Sequence, residues 1–177
     1  MKFKRKGLIE KKNNFIFTDK SLDNFFYISL IKKIFPNAKF INCKRNILSS
    51  IMSILKNNYR DIPWGHSLDH IFNYIDIYKK IIKNLKHDTP NLIYDLEYEK
   101  FINNPEEESK KLLEFCGLPW DKKCLEFYKR EDIISKTASK FQIKRPIYKG
   151  SGEQYLHYRK FLNKFEKKYD WFNKNIL

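Results

Sequence analysis

One stretch of the chain strongly limits what it can fold into. A strand-like run, Ala38-Lys-Phe-Ile-Asn-Cys-Lys-Arg45, leads directly into a helix-like run, Asn46-Ile-Leu-Ser-Ser-Ile-Met-Ser53-Ile-Leu. Apolar side chains on either side of Asn42 predict a buried strand, and an apolar residue at every fourth position from Ile47 predicts a helix. Arg45 therefore lies where a strand ends and a helix begins.

The polar residues of this stretch suit a phosphate. Ser49 and Ser53 are four positions apart, so they share one stripe of the predicted helix. A guanidinium beside hydroxyls and the N–H groups of a helix start is a common arrangement for binding phosphate. The same residues also fit a second interpretation, an arginine at a strand end followed by a solvated serine face.

The order of the predicted elements indicates an α/β fold. A strand over 14–19, a helix over 22–35 ended by Pro36, and the strand and helix around Arg45 alternate along the chain. This alternation is typical of a parallel sheet covered by helices. Further predicted elements are an amphipathic helix over 68–85, a strand over 91–95, a helix opened by Asn104-Pro105 and closed by Gly117, a short helix over 121–130 and an aromatic helix over 153–172. We predict one domain, or part of one, over residues 1–177.

Composition excludes several classes of protein. The 177 residues are 42% hydrophobic and 16% aromatic, which indicates a globular chain. No apolar run reaches the roughly 18 residues of a membrane span, and the basic N-terminus lacks the features of a secretory signal. The formal charge of +15 is carried by dispersed lysines, so we interpret most of it as solvated surface. A non-catalytic basic module that binds RNA or another polyanion is the alternative.

Cysteine and histidine residues do not form a recognisable site. Cys43, Cys116 and Cys124 are odd in number and lack Cys-x-x-Cys spacing, so we expect buried free thiols and a cytoplasmic location. His66 and His70 are four apart, but no third metal ligand is suggested nearby, so two exposed histidines and no metal are expected.

Several further motifs accompany the Arg45 stretch. They are Thr18-Asp-Lys-Ser-Leu-Asp-Asn-Phe25, Tyr98-Glu-Lys-Phe101, Phe115-Cys-Gly-Leu-Pro-Trp120 and Thr137-Ala-Ser-Lys-Phe-Gln-Ile-Lys-Arg-Pro-Ile-Tyr148. In this order and spacing they resemble the sulfotransferases that use 3′-phosphoadenosine 5′-phosphosulfate (PAPS). The likeness covers roughly residues 16–158 and is greatest to the bacterial branch associated with tetratricopeptide repeats, which is similar to protein-tyrosine sulfotransferases. It implies a parallel sheet flanked by helices, related to the P-loop nucleotide-binding folds.

The resemblance also implies roles for individual residues. Arg45 and Ser53 match the arginine and serine that bind the 3′-phosphate of the donor, and Tyr98 matches a tyrosine that touches the nucleotide. Lys20 and Ser139 match residues that stabilise the transferring sulfuryl group. Two more residues, Lys144 and Arg145, would lie near phosphates. PAPS is then the co-substrate, a hydroxyl compound is the acceptor, and neither a membrane nor a nucleic acid is an expected partner.

The chain also departs from the pattern of that family. Leu22 stands where the family usually has proline, and Gln154-Tyr155 stands where it has a basic residue and tryptophan. The family has a glycine-rich loop that cradles the 5′-phosphosulfate through backbone N–H groups. The five glycines of this chain do not form one. We therefore expect the N-terminal part of the domain to be missing, with a missing segment or partner chain, or an inactive truncated product, as possible explanations.

Overall fold

A small parallel sheet surrounded by helices forms the framework of the protein. The structure is a computed structural model that describes residues 16–130, 144–148 and 154–173. The α-helices and strands, in chain order, are α1 (Ile28–Ile34), β1 (Phe40–Lys44), α2 (Ile47–Asn57), α3 (Leu68–Asp88), β2 (Ile93–Glu97), α4 (Tyr98–Asn103), α5 (Pro105–Cys116) and α6 (Arg159–Leu162). Segments of 3-10 helix cover Leu22–Tyr27, Pro63–His66, Lys122–Lys129, Gln154–Tyr158 and Asn163–Phe165.

The sheet consists of β1 and β2, which run parallel. Phe40 pairs with Ile93, and the register continues to Lys44 opposite Glu97. The connection between the two strands runs through α2 and α3, as a parallel pair requires. Both strands therefore end at the same edge of the sheet, where Arg45 and Tyr98 follow them. The mixed α/β class predicted from the sequence is confirmed, whereas the relation to P-loop folds stays a prediction.

One hydrophobic cluster packs the sheet against α3. Its buried members are Phe25, Ile28, Ile82 and Ile93. These side chains come from the first 3-10 segment, α1, α3 and β2, so α3 covers one face of the sheet. On the opposite face, the rings of Tyr94 and Phe115 are 5.2 Å apart, which places α5 there.

A second cluster joins α2 and α3 to the C-terminal segment. Phe72 of α3 is fully buried and stacks on Phe165, with 4.0 Å between the ring centroids. The indole Nε1 of Trp171 donates a hydrogen bond to Asp76 Oδ1 at 3.1 Å, which satisfies a polar atom beside the aromatic cluster. Leu48 and Ile51 of α2 are fully buried in the same cluster, so this packing holds the helix that follows Arg45.

Several predicted elements agree with the structure. The helix after Arg45, the long helix α3 and the helix that opens at Pro105 are confirmed within one to three residues at each end. Gly117 adopts φ +69° after α5, the left-handed cap for which glycine is best suited. The predicted strand over 91–95 is displaced by two residues, because pairing with β1 extends to Glu97.

Three predictions are wrong in detail at the N-terminal side. Residues 16–20 lack the regular structure of the predicted strand, and in the described ranges no strand other than β2 pairs with β1. A strand needs a neighbour for its backbone hydrogen bonds, so an apolar run alone does not form one. The helix predicted over 22–35 begins as 3-10 helix and becomes α-helical at Ile28. β1 is not fully buried, since the side chain of Ile41 faces away from α3 and is 41% exposed.

The predicted C-terminal helix over 153–172 is also wrong. The described part, 154–173, is broken into short 3-10 and α-helical turns. Its buried residues keep a helical spacing, with intervals of seven, three, four and three from Tyr155 to Phe172, which explains the prediction. Because the rings of Phe165, Tyr169 and Phe172 lie around Phe72, packing outweighs helix continuity. As predicted, most of these aromatic side chains form packing surface, although Tyr158 and Phe161 are exposed.

The cysteines differ from the expectation of buried thiols. Cys43 and Cys124 are exposed, Cys116 is half-buried, and each is a free thiol. Among the described residues, no helix covers the Cys43 side of β1 as α3 covers the other side, which agrees with the exposure of Cys43. No helix in the described ranges is long and apolar enough to cross a lipid bilayer.

Candidate functional site

The candidate site begins at the edge where both strands end. The last paired residues of the two strands are Lys44 in β1 and Glu97 in β2. Arg45 follows the first of these and Tyr98 follows the second. The guanidinium carbon of Arg45 lies 5.0 Å from the centroid of the Tyr98 ring, a distance typical of a cation–π contact. The Nε atom of Arg45 is buried. The structure therefore brings together two of the residues predicted from the sequence.

The start of α2 adds backbone groups to the same edge. Asn46 is the N-cap residue, and its side-chain oxygen accepts a hydrogen bond from the Ser49 N–H at 3.0 Å. The Ser50 hydroxyl donates to the backbone carbonyl of Asn46 at 3.1 Å. Helix N-termini attract anions because their N–H groups and dipole point outwards. The predicted setting of Arg45, between a strand end and a helix start, is thus confirmed.

The two serines of α2 have different environments. Ser49 is buried at 5% exposure, which does not fit the second interpretation, a solvated serine face. Ser53 is half-buried one turn further along the helix. Its Oγ accepts a hydrogen bond from the Asn57 amide at 3.3 Å, and a hydroxyl that accepts still has its own proton to donate.

The adjacent lysine has a different partner from Arg45. Successive residues of a strand point to opposite faces of the sheet, and Lys44 points towards α3. There its Nζ lies 3.4 Å from Asp95 Oδ2, which also pairs with Lys86. Burial raises the pKa of Asp95, but hydrogen bonds from Lys86 and Asn42 and the charges of both lysines outweigh it, so the pKa lies below its ordinary value.

This polar group extends across the sheet to α3. Asn42 Nδ2 donates to Asp95 Oδ1 at 2.8 Å, and the hydroxyl of Tyr78 donates to Asn42 Oδ1. Burial raises the pKa of Tyr78, which favours the protonated phenol that donates this hydrogen bond. The group holds the two strands and α3 in register beneath the edge that carries Arg45.

Lys20 is held in an exposed turn. The carboxylate of Asp19 accepts hydrogen bonds from the Ser21 hydroxyl at 2.7 Å and the Ser21 N–H at 2.9 Å, which lower the pKa of Asp19. Leu22, which replaces the proline of the family pattern, is the first residue of the 3-10 segment. Leucine and proline both suit the first position of a helix, because a backbone N–H at that position would have no partner within the helix. Lys20 is exposed.

The remaining predicted residues are exposed or lie outside the described ranges. Lys144 and Arg145 are exposed. Ser139 lies outside the described residues. His66 is exposed, with Nδ1 2.7 Å from Asn58 Oδ1. No group of residues that could hold a metal ion occurs in the part of the chain that the structure describes.

Sequence reasoning missed Asn46 and Glu99. The backbone N–H of Asn46 donates to Glu99 Oε1 at 2.9 Å. The signal was present, since Glu99 follows Tyr98 directly and two parallel strands end at one edge. It was not recognised because the pairing register could not be read from either strand alone.

Comparison with known proteins decides the family. The model of the sulfotransferase family matches residues 7–122, about two thirds of the chain. The chain belongs to the sulfotransferase family. The match includes Lys20, Arg45, Ser53 and Tyr98, whereas Ser139, Lys144 and Arg145 lie beyond it.

Individual relatives agree with this membership. An uncharacterised protein of Aquifex aeolicus is 38% identical over 156 residues, which cover 81% of this chain and 19% of that protein. The omega-hydroxy-beta-dihydromenaquinone-9 sulfotransferase Stf3 of Mycobacterium bovis is 30% identical over 52% of this chain and 26% of its own length. The protein-tyrosine sulfotransferase of Drosophila melanogaster is 26% identical over 61% of this chain and 21% of its own length. This sulfotransferase-family chain thus spans about a fifth to a quarter of the length of these relatives.

Proposed function

We propose that this chain binds the 3′-phosphate end of PAPS and contributes to sulfuryl transfer onto a hydroxyl acceptor. The observation that carries the proposal is the Arg45–Tyr98 pair at the carboxyl edge of the parallel strands, directly before the capped N-terminus of α2. Open α/β sheets bind their ligands at this edge. Membership of the sulfotransferase family supports the choice of ligand.

The residues at this edge fit a phosphate chemically. The Arg45 guanidinium offers several N–H donors around a permanent positive charge, which matches the oxygens of a phosphate. Ser53 offers a hydroxyl donor from the second turn of α2. The aromatic ring of Tyr98 covers one side of the guanidinium, which limits its orientations and shields it from water. Arg45 and Ser53 would hold the 3′-phosphate, with Tyr98 beside the nucleotide.

The donor supplies the activated sulfuryl group. In the proposed reaction an acceptor hydroxyl attacks sulfur in line, and adenosine 3′,5′-bisphosphate leaves. Lys20 would place a positive charge near the bridging oxygen as negative charge develops there, and Ser139 would donate a hydrogen bond to the same group. Lys144 and Arg145 would add positive charge near the phosphates. The stabilised turn around Asp19 and Ser21 supports a defined position for the Lys20 backbone.

Nucleotide titration tests the proposed binding. Adenosine 3′,5′-bisphosphate should bind the wild-type chain at least tenfold more tightly than adenosine 5′-monophosphate, because only the first has the 3′-phosphate. An unrelated RNA serves as the competitor. Binding that falls steeply with salt and shows no preference for the 3′-phosphate would favour the basic polyanion-binding module instead.

Turnover tests the role of Lys20. In a longer relative that transfers sulfate, the substitution that matches Lys20→Ala should lower kcat strongly while nucleotide affinity changes little. Lys33→Ala, in the exposed last turn of α1, is the matched control. An unchanged kcat would show that Lys20 is an ordinary surface lysine without a role in transfer. For residues 1–177 alone we expect slow transfer, because the glycine-rich loop pattern for the 5′-phosphosulfate is not found in the sequence.

A further inference from the structure

The contacts between the two strand ends continue past the sheet in the same register. Lys44 is paired with Glu97, Arg45 lies against Tyr98, and the Asn46 N–H donates to Glu99 Oε1 at 2.9 Å. Three successive residues of one segment therefore face three successive residues of the other. The last of these contacts replaces a backbone ladder bond with a side-chain acceptor, because the chain turns into α4 at Tyr98.

Asn46 is the residue through which this contact affects Arg45. Its side chain caps α2 and its N–H is held by Glu99, so both its backbone and its side chain are fixed. The peptide unit between Arg45 and Asn46 is planar, which transmits that constraint to the Arg45 backbone. A long arginine side chain loses considerable rotamer freedom on binding, and a fixed starting point with a ring along one side reduces that loss.

We propose that Glu99 is a positioning residue for recognition of the 3′-phosphate, acting through the Asn46 N–H to hold Arg45 against Tyr98. The inference rests on the proposed function. Glu99 contributes to the site as the hydrogen-bond acceptor of the Asn46 N–H. Its negative charge does not contribute, because a carboxylate at this edge repels a bound phosphate. Glutamine, which keeps the acceptor oxygen and removes the charge, should therefore replace it.

Two substitutions separate the acceptor from the charge. Glu99→Gln keeps an oxygen for the Asn46 N–H, and Glu99→Ala removes it. The readout is the ratio of the dissociation constants for adenosine 5′-monophosphate and adenosine 3′,5′-bisphosphate, which general loss of folded protein does not change. We expect Glu99→Ala to lower this ratio by about threefold to tenfold, the effect of one lost hydrogen bond. Glu99→Gln should leave the ratio equal to or above that of the wild type.

A charge control and a direct readout complete the experiment. Glu114→Gln removes an exposed carboxylate from the last turn of α5 and should leave the ratio unchanged. Amide hydrogen exchange of Asn46 in the free protein should become faster in Glu99→Ala and stay slow in Glu99→Gln. This measurement needs no nucleotide, so it tests the contact independently of the proposed function.

The outcomes distinguish the two ideas. A wild-type ratio near one overturns the proposed function and this inference with it. A wild-type ratio well above one that Glu99→Ala leaves unchanged overturns the inference alone. Equal losses in Glu99→Gln and Glu99→Ala would show that the charge and not the acceptor matters, which also contradicts it.

Discussion

At the scale of single residues, neighbouring side chains of one type have different partners. Lys44 and Arg45 are consecutive cations, yet Lys44 pairs with Asp95 on the α3 side while Arg45 lies against Tyr98. The alternation of a strand decides this, since successive side chains leave it on opposite faces. Composition does not distinguish these two positive charges. In the structure, Arg45 belongs to the candidate site and Lys44 to the polar group around Asp95.

Ser53 is expected to contribute a hydrogen bond to the charged phosphate. Ser53→Ala should weaken binding of adenosine 3′,5′-bisphosphate by roughly tenfold to a hundredfold, because a hydrogen bond to a charged group is worth about 1.5–3 kcal/mol. Ser50→Ala is the matched control, since the Ser50 hydroxyl already donates to the Asn46 carbonyl. Calorimetric titration of both variants checks the difference. Equal losses would remove Ser53 from the phosphate site.

At the scale of elements, the regular helices were predictable and the edges of the sheet were not. Apolar spacing located α2 and α3, and Pro105 and Gly117 marked the limits of α5. These signals are local, so they do not depend on the rest of the fold. The register between β1 and β2 is a property of two distant segments, and it placed Glu99 beside Asn46 without any local sign. The prediction of a continuous C-terminal helix failed because non-local contacts decide that segment as well. Its contacts with Phe72 override the local helical preference.

The Asn46 cap of α2 should make a measurable contribution to the free energy of unfolding. Asn46→Ala removes the acceptor for the Ser49 N–H and should cost about 1 kcal/mol, or roughly 2–4 °C in Tm. Asn104→Ala is a matched control, because Asn104 occupies the N-cap position of α5 without a side-chain cap bond. Thermal unfolding followed by circular dichroism compares the two variants. A larger loss for Asn104→Ala would contradict the assignment of the α2 cap.

The carboxylate beneath the sheet should make stability depend on pH. The pKa of Asp95 is lower in the folded chain than its ordinary value of 3.8, so the unfolded chain binds a proton more readily. Its contribution is therefore complete above about pH 4–5 and is lost as the pH falls through the folded pKa. Asp95→Asn should be less stable than the wild type at pH 7, and the difference should shrink towards pH 3. Urea unfolding at several pH values measures it, and a constant difference would contradict this account.

At the scale of the whole molecule, the family was recognisable because its motifs are spread over several separate segments, two of which meet at one edge of the sheet. The strand ends carry Arg45 and Tyr98 from segments more than fifty residues apart, and the parallel register brings them together. The resemblance to the family pointed to both residues, whereas the spacing around Arg45 alone also fitted a solvated serine face. The part that could not be predicted is the support around them, which comes from Asn46, Glu99 and the group around Asp95. Those residues act through backbone hydrogen bonds and through the pairing of the two strands. Such contacts do not produce a recognisable pattern within a single segment of sequence.

The claim that Arg45 recognises a 3′-phosphate is tested most directly by four titrations. Wild type and Arg45→Ala are each titrated with adenosine 3′,5′-bisphosphate and with adenosine 5′-monophosphate, and Lys44→Ala controls for the loss of one positive charge. We predict that Arg45→Ala weakens bisphosphate binding by roughly tenfold to a hundredfold or more while the monophosphate changes little, since a charged hydrogen bond contributes about 1.5–3 kcal/mol. Lys44→Ala should preserve most of the preference. Equal affinities in all four titrations, or equal losses for both nucleotides, would contradict the assignment of Arg45 to the 3′-phosphate.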